Sequence, residues 1–151
     1  MVPFRTILQQ NTPQAGFCVM YPAPGIVEAI GREWDWFWID GQHGQLYDRD
    51  MLDLVRACDL VQRPSFVRVP GHESGPIGKI LDMDPTGIIV PCVDTQSQAK
   101  AIVDAAKFPP LGKRSYGGRR PIDTRSRSYA DAPEQSPIVI CQIESPQAIR
   151  N

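Results

Sequence analysis

The strongest constraint on the fold is a regular alternation of short apolar runs with longer amphipathic stretches. Five runs rich in Val, Ile and aromatic residues have the length and composition of β-strands. They cover residues 16–20, 35–40, 65–70, 87–91 and 138–145. Strands that alternate with helices predict a parallel sheet with right-handed crossovers, because such a crossover packs back onto a right-twisted sheet.

Helical stretches lie between these runs. The stretch 97–108 is the clearest, since good helix formers place its apolar residues on one face. The stretch 48–61 begins with acidic residues in its first turn, where negative charge is favoured. Further helices are predicted over residues 24–34 and 76–82, and a last one starts at Ser145.

Five strand–helix units leave two architectures open: an open doubly wound sheet, or the first part of an eight-stranded barrel. A dinucleotide-binding sheet places a GxGxxG loop after its first strand, and no such motif follows residues 16–20. The chain also reaches Asn151 just as a sixth unit starts. We therefore interpret residues 1–151 as one partial α/β domain, the C-terminally truncated front of a (β/α)8 TIM barrel.

Composition argues against several classes of protein. Hydrophobic residues make up 42% of the chain and charged residues 22%, as in ordinary globular domains. A formal net charge of −1 offers no electrostatic surface for nucleic acid, and the apolar runs are too short to span a membrane. The first residues lack the long apolar segment of a secretory signal. Four scattered cysteines without CxxC spacing favour a reduced, cytoplasmic protein over a disulfide scaffold or a zinc site.

Polar side chains gather at the carboxyl ends of the predicted strands, the edge where barrels and open α/β sheets assemble active sites. These side chains belong to Asp40, His43, Arg68, Gln142 and Glu144, the last two being on one face of the fifth strand. Each has a structural alternative, because a histidine after a strand is often a loop residue and buried polar groups need only partners. Together they combine a guanidinium for anions, a titratable imidazole and a carboxylate able to hold a metal. The combination favours an active site.

The remaining polar segments are weaker candidates for a functional site. The basic insertion 109–135 interrupts the rhythm, and loops of this length are usually functional or disordered. Its glycine-rich part, residues 113–121, can cradle a carboxylate or phosphate, or can equally be a solvated loop. His72 is interpreted as a surface loop residue and Cys92 as a packing residue.

The order of these motifs resembles the HpcH/HpaI aldolase family. The resemblance rests on DWFWIDGQHGQ, SFVRVPGHE, the segment from LDMDPTG to KRSYGG, and IVICQIES, and it extends from about Gly16 to the end of the chain. It implies a TIM barrel of the phosphoenolpyruvate/pyruvate type and a class II aldolase that cleaves 4-hydroxy-2-oxo acids to pyruvate and an aldehyde. It also implies a homo-oligomer, a trimer or hexamer, for the full-length protein.

The resemblance assigns acid–base roles to three residues. His43 would be the acid/base, acting through a metal-bound or ordered water. Asp82 falls where the family has an acidic residue that raises the basicity of this histidine. Asp40 would support the same corner of the pocket. Many family members have Glu where this chain has Gln42, which changes the local charge but not the expected base.

The resemblance also implies a divalent cation, Mg²⁺, Mn²⁺ or Co²⁺. Glu144 would be a metal ligand, Gln142 would contact the bound keto acid, and Arg68 would hold the pyruvoyl oxygens and stabilise the enolate. A second metal-ligating Asp of the family lies on the next strand, beyond Asn151.

The residue chemistry is consistent with these roles. Retro-aldol cleavage needs a base for the C4 hydroxyl, and imidazole suits that task near neutral pH. It also needs positive charge on the developing enolate, which a cation and a guanidinium supply. Lys79, Lys100 and Lys107 fall in helical stretches rather than at strand ends, which argues against a Schiff-base mechanism.

Two alternatives to an aldolase stay open. The polypeptide as written can be an inactive fragment whose exposed sheet edge needs a partner. The same site can also serve an oxaloacetate decarboxylase or another lyase that traps an enolate.

Overall fold

The computed structural model describes residues 4, 6, 9, 12–132 and 135–151. Within this part of the chain, five strands form one parallel sheet in the spatial order β1-β2-β3-β4-β5. They are β1 (Gly16–Val19), β2 (Trp36–Asp40), β3 (Ser65–Arg68), β4 (Gly87–Val90) and β5 (Ile138–Cys141). Spatial order equals chain order, so every crossover advances in the same direction. This is barrel topology, because a doubly wound sheet reverses its strand order at a switch point.

Helices connect the strands as the sequence predicted. They are α1 (Pro24–Ile30), α2 (Asp48–Leu60), α3 (Ser74–Leu81), α4 (Gln96–Ala106), α5 (Arg119–Thr124) and α6 (Pro146–Arg150). Helix α4 starts at a reciprocal cap, in which Thr95 Oγ1 accepts from the Gln98 N–H and Gln98 Oε1 accepts from the Thr95 N–H. At α6 the Ser145 hydroxyl accepts from the Ala148 N–H, and a proline follows where no donor is needed.

Several predicted boundaries were wrong. The helix expected over residues 24–34 ends at Ile30 and continues as a 3₁₀ turn, Gly31–Glu33. The strand expected over residues 138–145 ends at Cys141. Its neighbour β4 also stops, at Val90, so the ladder extends only through Gln142, which bonds the Val90 carbonyl.

The insertion 109–135 contains more structure than a loop. Helix α5 and a 3₁₀ turn, Arg127–Asp131, lie within it. Tyr129 of that turn is buried and packs edge-on against Phe108 at the end of α4. The apolar side chains of the insertion therefore hold it against the domain.

The sheet buries both faces in its middle. The face toward the helices carries Phe37, Ile39, Val67, Ile88 and Val90, each with 0% exposure. The opposite, inner face carries a second cluster built from Phe4, Phe66 and Ile89, with Trp36, Trp38 and Ile138 packed against it. Strands buried on both faces are typical of α/β proteins. Among the described residues, no helix has the length and apolar character to cross a membrane.

Candidate active site

The carboxyl edge of the sheet brings most of the predicted site residues together. Asp40 is the last residue of β2 and Arg68 is the last residue of β3. The β-ladder pairs these two positions directly, so their side chains lie on the same inner face. Glu144 follows β5 at the same edge.

Asp40 and Arg68 form a bidentate ion pair. Arg68 Nε donates to Asp40 Oδ1 at 2.9 Å, and Arg68 Nη2 donates to Asp40 Oδ2 at 2.5 Å. The Asp40 residue is 1% exposed and the Arg68 side chain is 13% exposed. The guanidinium also lies 5.0 Å from the centre of the Trp38 ring, a cation–π distance. These contacts restrict the guanidinium to one plane at the edge of the sheet.

The same carboxylate organises the turn that carries His43. Asp40 Oδ1 accepts from the N–H groups of Gln42 and His43, at 3.0 and 3.1 Å. The turn packs closely on the strand ends, and two glycines allow this. A Cβ on Gly41 would lie 2.7 Å from the Arg68 carbonyl oxygen, and one on Gly44 would lie 2.3 Å from the Asp40 carbonyl oxygen. Only glycine fits at these two positions without moving the backbone.

The Asp40 carboxylate thus contacts both the Arg68 guanidinium and the backbone of the turn that carries His43. Burial raises the pKa of its carboxyl, but hydrogen bonds from Arg68 and from the N–H groups of the turn outweigh burial and bring the pKa below its ordinary value. The hydrogen bond to Asp40 raises the pKa of Arg68 further above its already high value. Both groups stay charged across the physiological range. The His43 residue is exposed at the end of the turn, where a substrate can reach its ring.

Glu144 and Gln142 follow β5 with different surroundings. Glu144 is exposed, and its Oε1 accepts from the Cys92 N–H at 2.7 Å and from the Cys92 thiol at 3.4 Å. The hydrogen bond between the Cys92 thiol and Glu144 is the largest of the effects that raise the pKa of this thiol. The Gln142 Oε1 atom is buried, and within the described residues it has no hydrogen-bond partner. An amide oxygen in this condition is suited to a ligand at the inner face.

Two residues for which the sequence predicted no catalytic role lie at the carboxyl edge of the sheet. His72 is half-buried, and its Nε2 lies 2.6 Å from the Pro91 carbonyl oxygen. Cys92 has φ 53°, the left-handed region that costs a residue with a side chain about 1–2 kcal/mol. His72 lies in a loop, as expected, but it is half-buried and contacts the next strand end instead of facing solvent freely. The one feature of the sequence that could have indicated this contact is the position of His72, four residues after Arg68, the last residue of β3.

A comparison with protein families agrees with this geometry. The model of the HpcH/HpaI aldolase/citrate lyase family matches residues 23–151. The chain belongs to this family.

Relatives in the HpcH/HpaI family match along almost all of the chain. The 4-hydroxy-2-oxovalerate aldolase of Novosphingobium aromaticivorans is 36% identical over 98% of the chain and 58% of its own length. The hydroxypyruvate/pyruvate aldolase of Agrobacterium fabrum is 32% identical over 98% of the chain and 57% of its own length. The crystal structure of a family protein from Burkholderia cenocepacia superposes with a TM-score of 0.87 at 27% identity, over 97% of this chain and 61% of that one.

The chain thus spans less than two thirds of the length of these relatives. The solved family structures that it matches are TIM barrels, and its five-stranded parallel sheet is part of that fold. The sequence-based prediction of a partial α/β barrel is confirmed.

The site suits the type of cation implied by the HpcH/HpaI family. Within the described residues, no group of three or more His, Cys, Asp or Glu side chains is placed to hold a metal ion. Glu144 and the orphaned Gln142 oxygen are hard oxygen donors at one edge. A Mg²⁺-like ion takes one or two carboxylates and keeps several waters, so this donor set fits such an ion.

Asp82 is not beside His43 within the chain. It follows the end of α3 and precedes β4, which places it at the amino edge of the sheet, opposite the candidate active site. There its Oδ1 accepts from Arg114 Nη2 at 2.8 Å, and the Arg114 side chain, 3% exposed, lies over the Phe108 ring. Its expected influence on His43 has no support within one copy of the chain, because helix α3 carries it away from that edge.

Two arginines of the basic segment 113–121 contact other residues of the domain. Arg114 is paired with Asp82, and Arg120 is paired with Asp59 while also donating to the Met83 carbonyl. These two arginines are therefore not the solvated charges of a free loop. The anion cradle suggested by the sequence stays a prediction.

Proposed function

We propose that the protein to which this chain belongs is a metal-dependent aldolase. It would cleave 4-hydroxy-2-oxo acids to pyruvate and an aldehyde, or form them from these two compounds. The observation that carries the proposal is the Asp40 carboxylate, which holds both the Arg68 guanidinium and the turn of His43. These contacts support a site in which a guanidinium and an imidazole act together at one edge of the sheet. Retro-aldol cleavage transfers a proton, for which an imidazole can be the base, and develops negative charge on an enolate oxygen, which a guanidinium can stabilise.

In the cleavage direction, His43 takes the proton of the C4 hydroxyl, directly or through one ordered water. The C4–O bond becomes a carbonyl, the C3–C4 bond breaks, and its electron pair forms the enolate of pyruvate. Arg68 faces the developing negative oxygen, and its plane is set beforehand by Asp40, so no reorganisation is needed during the reaction. Return of the proton to C3 completes the formation of pyruvate. Gln142 can orient the keto acid through its side-chain amide.

Glu144 would hold the divalent cation. When bound, a cation of this type acts as a Lewis acid on the 2-keto group. A lysine that forms a Schiff base is not needed. Lys79 and Lys100 lie in helices and Lys107 caps the end of α4, away from the carboxyl edge.

The first test concerns the cation. We expect the complete protein to lose pyruvate release from 4-hydroxy-2-oxo acids in EDTA and to regain it with Mg²⁺, Mn²⁺ or Co²⁺. Glu144→Gln should bind Mn²⁺ at least about 10-fold more weakly, because a neutral amide replaces the carboxylate. Turnover that resists the chelator, or a pyruvate adduct trapped by borohydride, would contradict the proposal. Activity on oxaloacetate alone would favour the decarboxylase.

A second candidate applies to residues 1–151 alone, and the exposed edges of the sheet favour it. Among the described residues, β1 and β5 each pair on one side only, and Ile140 of β5 is 36% exposed. An unpaired edge with exposed apolar side chains is a site of aggregation. We expect this polypeptide by itself to associate or precipitate and to release no pyruvate. A monodisperse monomer with a cooperative thermal transition, observed by light scattering and calorimetry, would contradict this.

The proposal extends to the assembly and the compartment. We propose a homo-oligomer, a trimer or hexamer, for the complete protein, acting on small molecules in the cytoplasm. A role for Asp82 beside His43 would require a neighbouring copy to bring its own Asp82 to this edge. Sedimentation of the complete protein tests the oligomeric state.

A further inference from the structure

We infer that His72 is a positioning residue for Glu144, acting through the turn at Pro91 and Cys92. This inference rests on the proposed function, because it takes Glu144 as the ligand of the cation. The turn links the two side chains, which are separated in the sequence and come from the ends of different strands.

The turn adopts a conformation that the chain does not prefer. Strand β4 ends at Val90, and Cys92 then takes φ 53°, a left-handed value that a residue with a Cβ rarely adopts. Such a conformation persists only where the surrounding contacts hold it. The contacts around this turn therefore decide where its N–H groups point.

Contacts hold the turn from two sides. On the β3 side, His72 Nε2 lies 2.6 Å from the Pro91 carbonyl oxygen, so this nitrogen carries the proton and donates. On the β5 side, the Val93 N–H donates to the Gln142 carbonyl at 3.2 Å. The imidazole of His72 is half-buried, which restricts its own position.

The left-handed residue presents its N–H to Glu144. Cys92 N donates to Glu144 Oε1 at 2.7 Å, and the Cys92 thiol lies 3.4 Å from the same oxygen. Glu144 is otherwise an exposed side chain beyond the end of its strand. This hydrogen bond therefore selects one orientation of the carboxylate. Partners that orient a ligating carboxylate typically affect metal affinity by about 10–100-fold.

A matched pair of substitutions tests the inference in the complete protein. His72→Leu keeps a side chain of similar volume but has no donor. His72→Gln presents an amide N–H at nearly the reach of imidazole Nε2. We expect His72→Leu to weaken Mn²⁺ binding by about 10-fold, measured from free Mn²⁺ by electron paramagnetic resonance, and His72→Gln to recover most of this loss. His43→Ala is the control, since it should lower turnover without changing Mn²⁺ affinity.

A double-substitution cycle separates positioning from general stability. Glycine adopts positive φ without strain, so Cys92→Gly removes the need for an external contact to hold the turn. In the Cys92→Gly background, His72→Leu should weaken Mn²⁺ binding by less than about 3-fold, a non-additive result expected only for coupled residues. If His72→Leu does not fold, His72→Ala replaces it in both backgrounds.

The outcomes separate this inference from the proposed function. Wild-type Mn²⁺ affinity in His72→Leu, or equal losses in His72→Leu and His72→Gln, would overturn the positioning role. An additive cycle would overturn it as well. Wild-type Mn²⁺ affinity in Glu144→Gln would instead remove the ligand assignment on which the proposed function depends.

Discussion

Arg68→Lys should lower kcat/KM of the complete protein by about 10²–10³-fold, the usual loss when one group that stabilises a developing oxyanion is removed. An ammonium group cannot form the two parallel hydrogen bonds that Asp40 accepts from Arg68 Nε and Nη2. It would also leave the buried Asp40 carboxylate with a weaker partner for its negative charge. Steady-state kinetics with a 4-hydroxy-2-oxo acid measures the effect.

Arg56→Lys is the matched control for this substitution. Arg56 also pairs with an aspartate, Asp53, but both side chains are substantially exposed, at 58% and 41%. Exposed pairs of this type contribute little to stability, so the control should keep wild-type kinetics and thermal stability. Near-normal turnover of a folded Arg68→Lys variant would show that the oxyanion site lies elsewhere.

His43→Ala should lower kcat by about 10²–10⁴-fold, the contribution of a positioned general acid–base group. The backbone of the turn should stay in place, since the N–H of residue 43 still donates to Asp40 Oδ1 in the variant. The loss is therefore expected in kcat, with little change in the midpoint of thermal unfolding. Kinetics and calorimetry on the same preparation measure both quantities.

His72→Gln serves as the control for the loss of a histidine as such. The two histidines of the chain both follow strand ends, but only His43 is exposed on the turn held by Asp40. We expect His72→Gln to retain far more turnover than His43→Ala. Equal kcat values for His43→Ala and the wild type would exclude His43 as the base.

The alternation of strands and helices was readable because burial leaves a periodic mark on a sequence. The apolar runs at β2, β3 and β4 lie in strands covered on both faces, and all five strands form near the predicted positions. The errors fall at the ends. The last strand stops at Cys141 rather than at residue 145 because pairing with β4 runs out, which a pattern within one segment does not record.

The candidate site was predicted in part for the same reason. Asp40, His43 and Arg68 were placed together because parallel strands bring their carboxyl ends to one edge. Burial of a charge also indicated that Arg68 needs a partner. That this partner is Asp40 depends on the register between β2 and β3, which pairs two positions 28 residues apart.

The family resemblance did not predict where Asp82 lies in the fold. Asp82 matched the position of an acidic residue that raises the basicity of the histidine, yet helix α3 ends before it at the other edge of the sheet, where Arg114 binds it. A motif preserves the order of residues along a chain. It does not state which copy of the chain supplies each one.

The sequence by itself determined the α/β class, the parallel sheet, the family and the edge of the sheet where the chemistry gathers, because each of these follows from local periodicity or from a motif. Only the tertiary structure decided the partner of Arg68, the distance of Asp82 from this edge, and the contacts from His72 through Cys92 to Glu144. Glu144 and Cys92 are 52 residues apart. Contacts of this kind depend on strand register and turn geometry, which arise only when separate segments pack against one another.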